Sequence, residues 1–320
     1  MNFESVISKS KMLKKTIREI LLALHNNEVR EFVKETLKEN YRNLFVGHRK
    51  EAQLMIDKAF QQLLAINNEE NIEYQFMENL SIIDDKIFKK NDQTFWFNKM
   101  YEYYKRYTRS NEDIKLIHRF ILNKRAVDFG SGAGYFALEL KKKGFEIFTT
   151  DVLDYRIADA RVLPFKKMFS PIDVDSIPDN ISTLIIRTVL HHIDKQYLPI
   201  VIKKLRKKVK RLIIEEDAFI IPNYIESKKK AMKTQPRLSK YLKMSRKNRL
   251  QALILFDFFG NVIAQGQPEI NLPFQFKSPD YWKKILENNG YILNRAILSG
   301  FERNKLHRSC QVWMIFDRNK

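Results

Sequence analysis

Three glycines at alternate positions, Gly130, Gly132 and Gly134, follow Asp128 and lead into the aromatic pair Tyr135 and Phe136. Glycine at this spacing lets a chain turn sharply and lets a ligand approach the backbone where a Cβ would clash. Segment 127–136 therefore reads as a buried strand, a ligand-binding turn and the start of a helix. Asp151 ends the apolar run 145–150 and offers a carboxylate suited to accept hydrogen bonds from both hydroxyls of a ribose, with Asp154 one turn on as its reserve. His191 and His192 end a third run, and Glu215, Glu216 and Asp217 a fourth. A histidine titrates near neutral pH and can take a proton from a reacting hydroxyl or amine. The chemistry on offer is thus a nucleotide-like cofactor beside a general base, with His192 the first candidate, His191 the second and Glu216 beside them. The competing reading makes both histidines residues that cap or pack a helix start.

Positioning these groups at the carboxyl ends of successive strands requires alternating strands and helices. Strands are expected over 145–150, 182–186 and 212–214, and a helix over 136–143. The dinucleotide fingerprint needs a third glycine five residues after the first, and that position is Tyr135. The pattern Asp128-x-Gly130-x-Gly132-x-Gly134, with Asp151 after the second strand and Val189-Leu190-His191-His192 after the fourth, resembles the class I S-adenosylmethionine (SAM) methyltransferases. Residues 256–261, 272–278, Trp282 and Asn289-Gly290-Tyr291 look like the tail of small-molecule members of that family. The resemblance covers residues from about 113 to 320.

The resemblance implies an α/β fold, a Rossmann-like doubly wound, seven-stranded, mostly parallel sheet with an antiparallel last hairpin at about 292–299 and 309–316. It implies SAM as cofactor, held by Asp128, Gly130, Ser131, Gly132, Gly134, Asp151, Asp173, Val174 and Arg187. Asp173, five residues before Pro178, takes the acid that accepts from the adenine amino group, with Asp175 as its alternative. The activity implied is methylation of a small-molecule acceptor, at oxygen. No Asn-Pro-Pro-Tyr-like tetrapeptide follows the fourth strand, where the sequence is Arg187-Thr188-Val189-Leu190. That departure counts against nucleic-acid bases as acceptors, although an RNA methyltransferase and a non-catalytic SAM-binding or partner-binding module stay open as alternatives.

Composition bounds the rest. A chain of 320 residues with 44% hydrophobic content is long enough for two packed domains. Residues 1–110 are expected to form an α-helical domain, a cover or dimer contact, with 111–320 as the methyltransferase domain and 220–278 as its substrate-side insertion. Residues 1–105 hold one glycine and no proline, with apolar residues at helical spacing and breaks expected near Asn26-Asn27, Gly47-His48 and Asn67-Asn68. A last helix around Trp96–Tyr107 is expected to end in a Ser110-Asn111-Glu112-Asp113 cap and linker. Cys310 is the only cysteine and reads as a buried residue of the last strand, and no cluster has zinc spacing, so no metal is expected. Nothing reaches the length of about 18 apolar residues that a membrane span needs, and a cytoplasmic location is the expectation.

The net charge is +20. Seven of the nine residues 203–211 are basic, but they precede a strand, opposite the ligand edge. Of the 22 residues 228–249, ten are Lys or Arg and none is acidic. That stretch can be a solvated helix flank, a lid favouring an anionic acceptor, a phosphate-backbone contact or a peripheral contact with an anionic membrane.

Overall fold

The computed structural model describes residues 10–66, 70–92, 94–168, 170, 173–179, 181–266, 272–301 and 309–319. The expected break at Asn67-Asn68 lies outside them. Helices α1 (Ser10–His25), α2 (Asn27–Leu44), α3 (Arg49–Leu64), α4 (Ile72–Ile82) and α5 (Trp96–Tyr103) come first. A π-turn, Tyr104–Arg109, joins α5 to α6 (Ser110–Ile117), and α7 (Tyr135–Lys142), α8 (Leu198–Lys208), α9 (Lys228–Thr234), α10 (Pro236–Lys243), α11 (Arg246–Phe258) and α12 (Pro279–Glu287) follow. The strands are β1 (Arg125–Phe129), β2 (Glu146–Asp151), β3 (Phe165–Lys167), β4 (Thr183–Arg187), β5 (Arg211–Asp217), β6 (Tyr291–Gly300) and β7 (Gln311–Arg318). No helix among the described residues is long and apolar enough to cross a membrane.

The chain divides into two compact units, one within Met1–Tyr101 and Pro236–Phe274, the other within Glu102–Gln235, Gln275–Arg303 and Cys310–Lys320. The first is helical. Its periodic apolar residues, among them Ile17, Ile20, Leu24, Phe32, Val33 and Leu37, are buried. Asn26 marks the first break by accepting from the Val29 N–H at the start of α2, and its amide also donates to Asn248 (3.0 Å) and Gln251 (2.7 Å) of α11. Phe32 meets Tyr241 and Phe256, with ring centroids 5.8 and 6.2 Å apart. The residues Pro236–Phe274, read from sequence as part of a substrate-side insertion, thus share a core with the N-terminal helices.

The second unit holds the sheet, in the order β3-β2-β1-β4-β5-β7-β6. Strands β1 to β5 pair in parallel and β7 pairs antiparallel to both β5 and β6. Parallel strands buried on both faces read as continuous apolar runs, and that is why β1, β4 and β5 were visible in the sequence. On one face Ala126, Ile185, Ile213 and Ile315 pack with Ile114, Ile117, Phe136 and Leu140. The segment Ser110–Asp113, expected to be a cap and linker, is the first turn of α6, with Ser110 and Asp113 buried. Ser110 is polar yet helical there because its hydroxyl donates to the Lys105 carbonyl at 2.8 Å.

Candidate functional site

Gly130, Gly132 and Gly134 all adopt positive φ, at 72°, 53° and 77°. Two of them are forced to be glycine by close approach as well. A Cβ on Gly130 would lie 2.4 Å from Val189 Cγ2, and one on Gly134 would lie 2.8 Å from the Ala160 Cβ. At Gly132 a Cβ would meet nothing within 4 Å, so this glycine faces open space. The loop is tied to β2: the Gly130 and Ser131 amides donate to the Thr150 carbonyl at 2.9 and 3.1 Å. The Gly132 amide donates to one Asp151 carboxylate oxygen at 2.8 Å, and the Val152 amide to the other at 2.7 Å. Ser131 Oγ is buried with no hydrogen-bond partner among the described residues.

The carboxylates around the loop differ in how readily they ionise. Burial pushes the Asp128 carboxyl up to about 6; Arg187 opposes the rise and Asp151 adds to it. Burial also raises Asp151, against the amide bonds from Gly132 and Val152. Asp154 is held down to about 2 by the Arg156 side chain, whose Nε and Nη2 donate to it at 2.8 and 2.9 Å, so the reserve ribose acid is already engaged. Asp173 stands half-buried at the entry to the turn Val174–Ser176, where Val174 is buried and Asp175 exposed.

After β4 the chain makes a tight turn. Thr188 has φ +53°, a conformation costly for a β-branched residue. Its amide donates to the Glu215 carbonyl at 2.7 Å and its hydroxyl to the Arg187 carbonyl at 2.7 Å. Glu216 then gathers three donors from the next residues: the amides of Val189 (3.1 Å) and Leu190 (2.8 Å) reach one oxygen, and His191 Nδ1 lies 2.7 Å from the other. An ionised carboxylate only accepts, so the proton sits on Nδ1 and Nε2 is the basic nitrogen. The His191 ring is buried and lies between His192 (centroids 4.2 Å) and Phe276 (4.9 Å). His192 is half-buried. Beyond Phe276, Lys277 is held below the ordinary lysine range by burial and by Lys195.

Arg187, expected to be a cofactor residue, is committed to an ionic cluster. It donates to Asp113 at 2.6 Å, its Nε lies 3.4 Å from Glu215, and its guanidinium covers the Phe136 ring at 4.2 Å. Arg109 lies 3.8 Å from Glu215 and 3.9 Å from Asp113, and both carboxylates are completely buried. Arg109 and Asp113 were missed in the sequence. They face each other one helical turn apart, but the partners that complete the cluster, Arg187 for Asp113 and Glu215 for Arg109, lie 74 and 106 residues away, and nothing local marks them.

The strand order reverses direction between β2-β1 and β4-β5, so the glycine loop and the His191 turn flank a topological switch point, where open α/β sheets bind ligands. With β7 alone inserted antiparallel between β5 and β6, the architecture is decided. The sheet unit has the class I methyltransferase fold. No family model matches the sequence, and no curated protein sequence does. Solved methyltransferases are similar in structure. The magnesium protoporphyrin IX methyltransferase of Synechocystis PCC 6803 with bound SAH shares 12% identity over 76% of this chain and 99% of its own, with a TM-score of 0.41. A SAM-dependent methyltransferase from Archaeoglobus fulgidus shares 17% over 69% and 99%, at 0.42. An O-methyltransferase-like protein of Nostoc punctiforme PCC 73102 shares 13% over 87% and 72%, at 0.42.

Proposed function

We propose that this chain binds SAM and transfers its methyl group to a small-molecule acceptor, at oxygen. The observation that carries the reading is one contact: Val189, in the turn held by Glu216, fills the space a Cβ on Gly130 would need. The cofactor loop and the histidine turn are thereby built against each other. The residues of the loop fit the methionyl and ribose ends of SAM: Gly132 leaves room, Ser131 Oγ is an uncommitted donor, and Asp151 retains lone pairs beside the room. When bound, SAM supplies an electrophilic methyl on a sulfonium. What the protein adds is position and a base.

His191 takes the acceptor proton on Nε2, and Glu216 fixes the tautomer and stabilises the imidazolium through Nδ1, the division of labour found in a histidine–carboxylate pair. A neutral imidazole suits a hydroxyl of modest acidity better than a fully charged amine. Lys277, whose affinity for a proton is lowered by burial and by the nearby Lys195, favours with it an acceptor carrying an anionic group. Calorimetry with SAM and S-adenosylhomocysteine (SAH) tests the cofactor half: saturable binding is expected, and Gly132→Arg, which fills the open space, abolishes it. Absence of binding to the parent protein overturns the proposal. For the base, His191→Asn removes the acidic limb of the pH–rate profile while His192→Asn preserves it; the reverse result assigns the base to His192 and leaves His191 a support.

A further inference from the structure

The sheet unit carries a second arrangement that the proposed reaction does not use. Tyr103 is 63% exposed and Tyr107 38% exposed, and their rings stand 4.9 Å apart at 49°. Cations surround them. The Arg106 guanidinium lies 5.1 Å and the Lys142 ammonium 5.5 Å from the Tyr107 ring. At the other end of α7, Lys105 lies 5.7 Å over Tyr135, the residue after the last loop glycine. A ring with its cation therefore stands at each end of α7, a helix roughly 12 Å long. Exposed Lys141 and Lys143 complete its basic end.

The flat faces of two exposed rings are poorly solvated, and exposed lysines leave positive charge uncompensated at one helix end. Arg106 and Lys142 are neutralised by Asp159 and Glu139, whereas Lys141, which donates to the Val162 carbonyl at 3.3 Å, and Lys143 form no ion pair among the described residues. A ligand that supplies both flat π-faces and regularly spaced negative charge satisfies both deficits. Single-stranded nucleic acid is such a ligand: its bases stack on aromatic rings and its phosphates pair with lysines. A duplex hides its bases, and a lipid surface asks for a broader aliphatic area than two tyrosines offer. We infer that this face, along α7 from the cofactor loop to Lys143, binds single-stranded polynucleotide, with a base on Tyr103 and the backbone along Lys141 and Lys143. The inference is separate from the identity of the methyl acceptor.

The test uses the full chain and a fluorescein-labelled 12-mer oligouridylate, with polarisation read from low to moderate salt. Lys141→Glu/Lys143→Glu should weaken binding at least tenfold and flatten the slope of log K against log salt by about 1, since each phosphate contact on a single strand contributes about 0.7. Tyr103→Ala should lose about 5- to 100-fold with the slope unchanged, because stacking releases no counterions. Lys203→Glu/Lys207→Glu on α8 makes the same change in net charge and should cost less than twofold. An equal loss in this control means that binding follows net charge alone and overturns the inference, as does full affinity in Tyr103→Ala. Vesicles of anionic phospholipid that bind while the oligomer does not would also overturn it. Unchanged SAH binding in every variant separates this outcome from failure of the proposed reaction.

Discussion

Asp128→Asn is the most informative single change at the cofactor edge. Asp128 is 2% exposed, and its carboxyl rises from 3.8 to about 6 in the folded chain, chiefly through burial. Between those two values the native state holds a proton that the unfolded chain has released. The unfolded state therefore binds fewer protons in this window, and stability falls as pH rises. A shift of about 2.2 units at 1.36 kcal/mol each is about 3 kcal/mol, present in full below pH 4 and lost above pH 6. Asparagine has the same shape and never ionises. Urea unfolding at pH 4, 5, 6 and 7.5 should show parent and variant equal at the acid end and the variant more stable by about 1–3 kcal/mol at pH 7.5, the lower figure allowing for an imperfectly bonded amide. Taking the difference between the two proteins cancels the other titrating groups. A cationic ligand drives Asp128 to ionise, so parent SAM affinity should climb up to tenfold per pH unit below 6 and then level, while the variant shows a flat, weaker profile. A variant less stable than the parent at pH 7.5, or a difference that does not vary with pH, refutes the reasoning.

Gly132→Ala should fold, losing about 1–2 kcal/mol for its positive φ, yet lose SAH binding by calorimetry; Gly130→Ala meets Val189 as well and should lose about 2–5 kcal/mol in the same unfolding assay. Thr188→Gly relieves a strained turn and should unfold at equal or higher urea, with a gain of up to about 2 kcal/mol. Its kcat should fall at least tenfold with SAH affinity intact, and an unchanged kcat would show that the turn has no part in placing His191. Glu216→Gln leaves three buried donors short of an acceptor. It should cost about 2–4 kcal/mol in thermal or urea unfolding and lower kcat about 100-fold or more through the lost tautomer.

The glycine loop and the strands flanking it were readable because backbone geometry at those positions leaves so little choice: only glycine accepts the φ of 130 and 134 beside Val189 and Ala160. Asp128 and Asp151 were legible as strand-end carboxylates for the same reason. Facing was not. Glu215 and Glu216 are neighbours in sequence but project from opposite sides of β5, one into the Arg109–Arg187 cluster and the other into the His191 turn. Arg187 looked available for a cofactor until Asp113, 74 residues earlier, engaged it. Ser110-Asn111-Glu112-Asp113 has the composition of a helix cap, and a π-turn upstream made it helix interior instead. The partnership of Pro236–Phe274 with the first helices joins segments separated by the front half of the sheet, a distance over which hydrophobic periodicity carries no information.

That interleaving dictates an order of events as the chain emerges during synthesis. The first helices reach solvent early but wait for α11 to complete their core, and β5 waits longer still, since Arg211 pairs with Asp317 at the far end of the polypeptide. Neither unit can be finished before most of the other has been made. Until β7 arrives, the open edge of β5 is a template for strands from other chains. Shortened versions that stop or begin near residue 101 split the helical core, and those that stop at residue 274 leave β5 without β7.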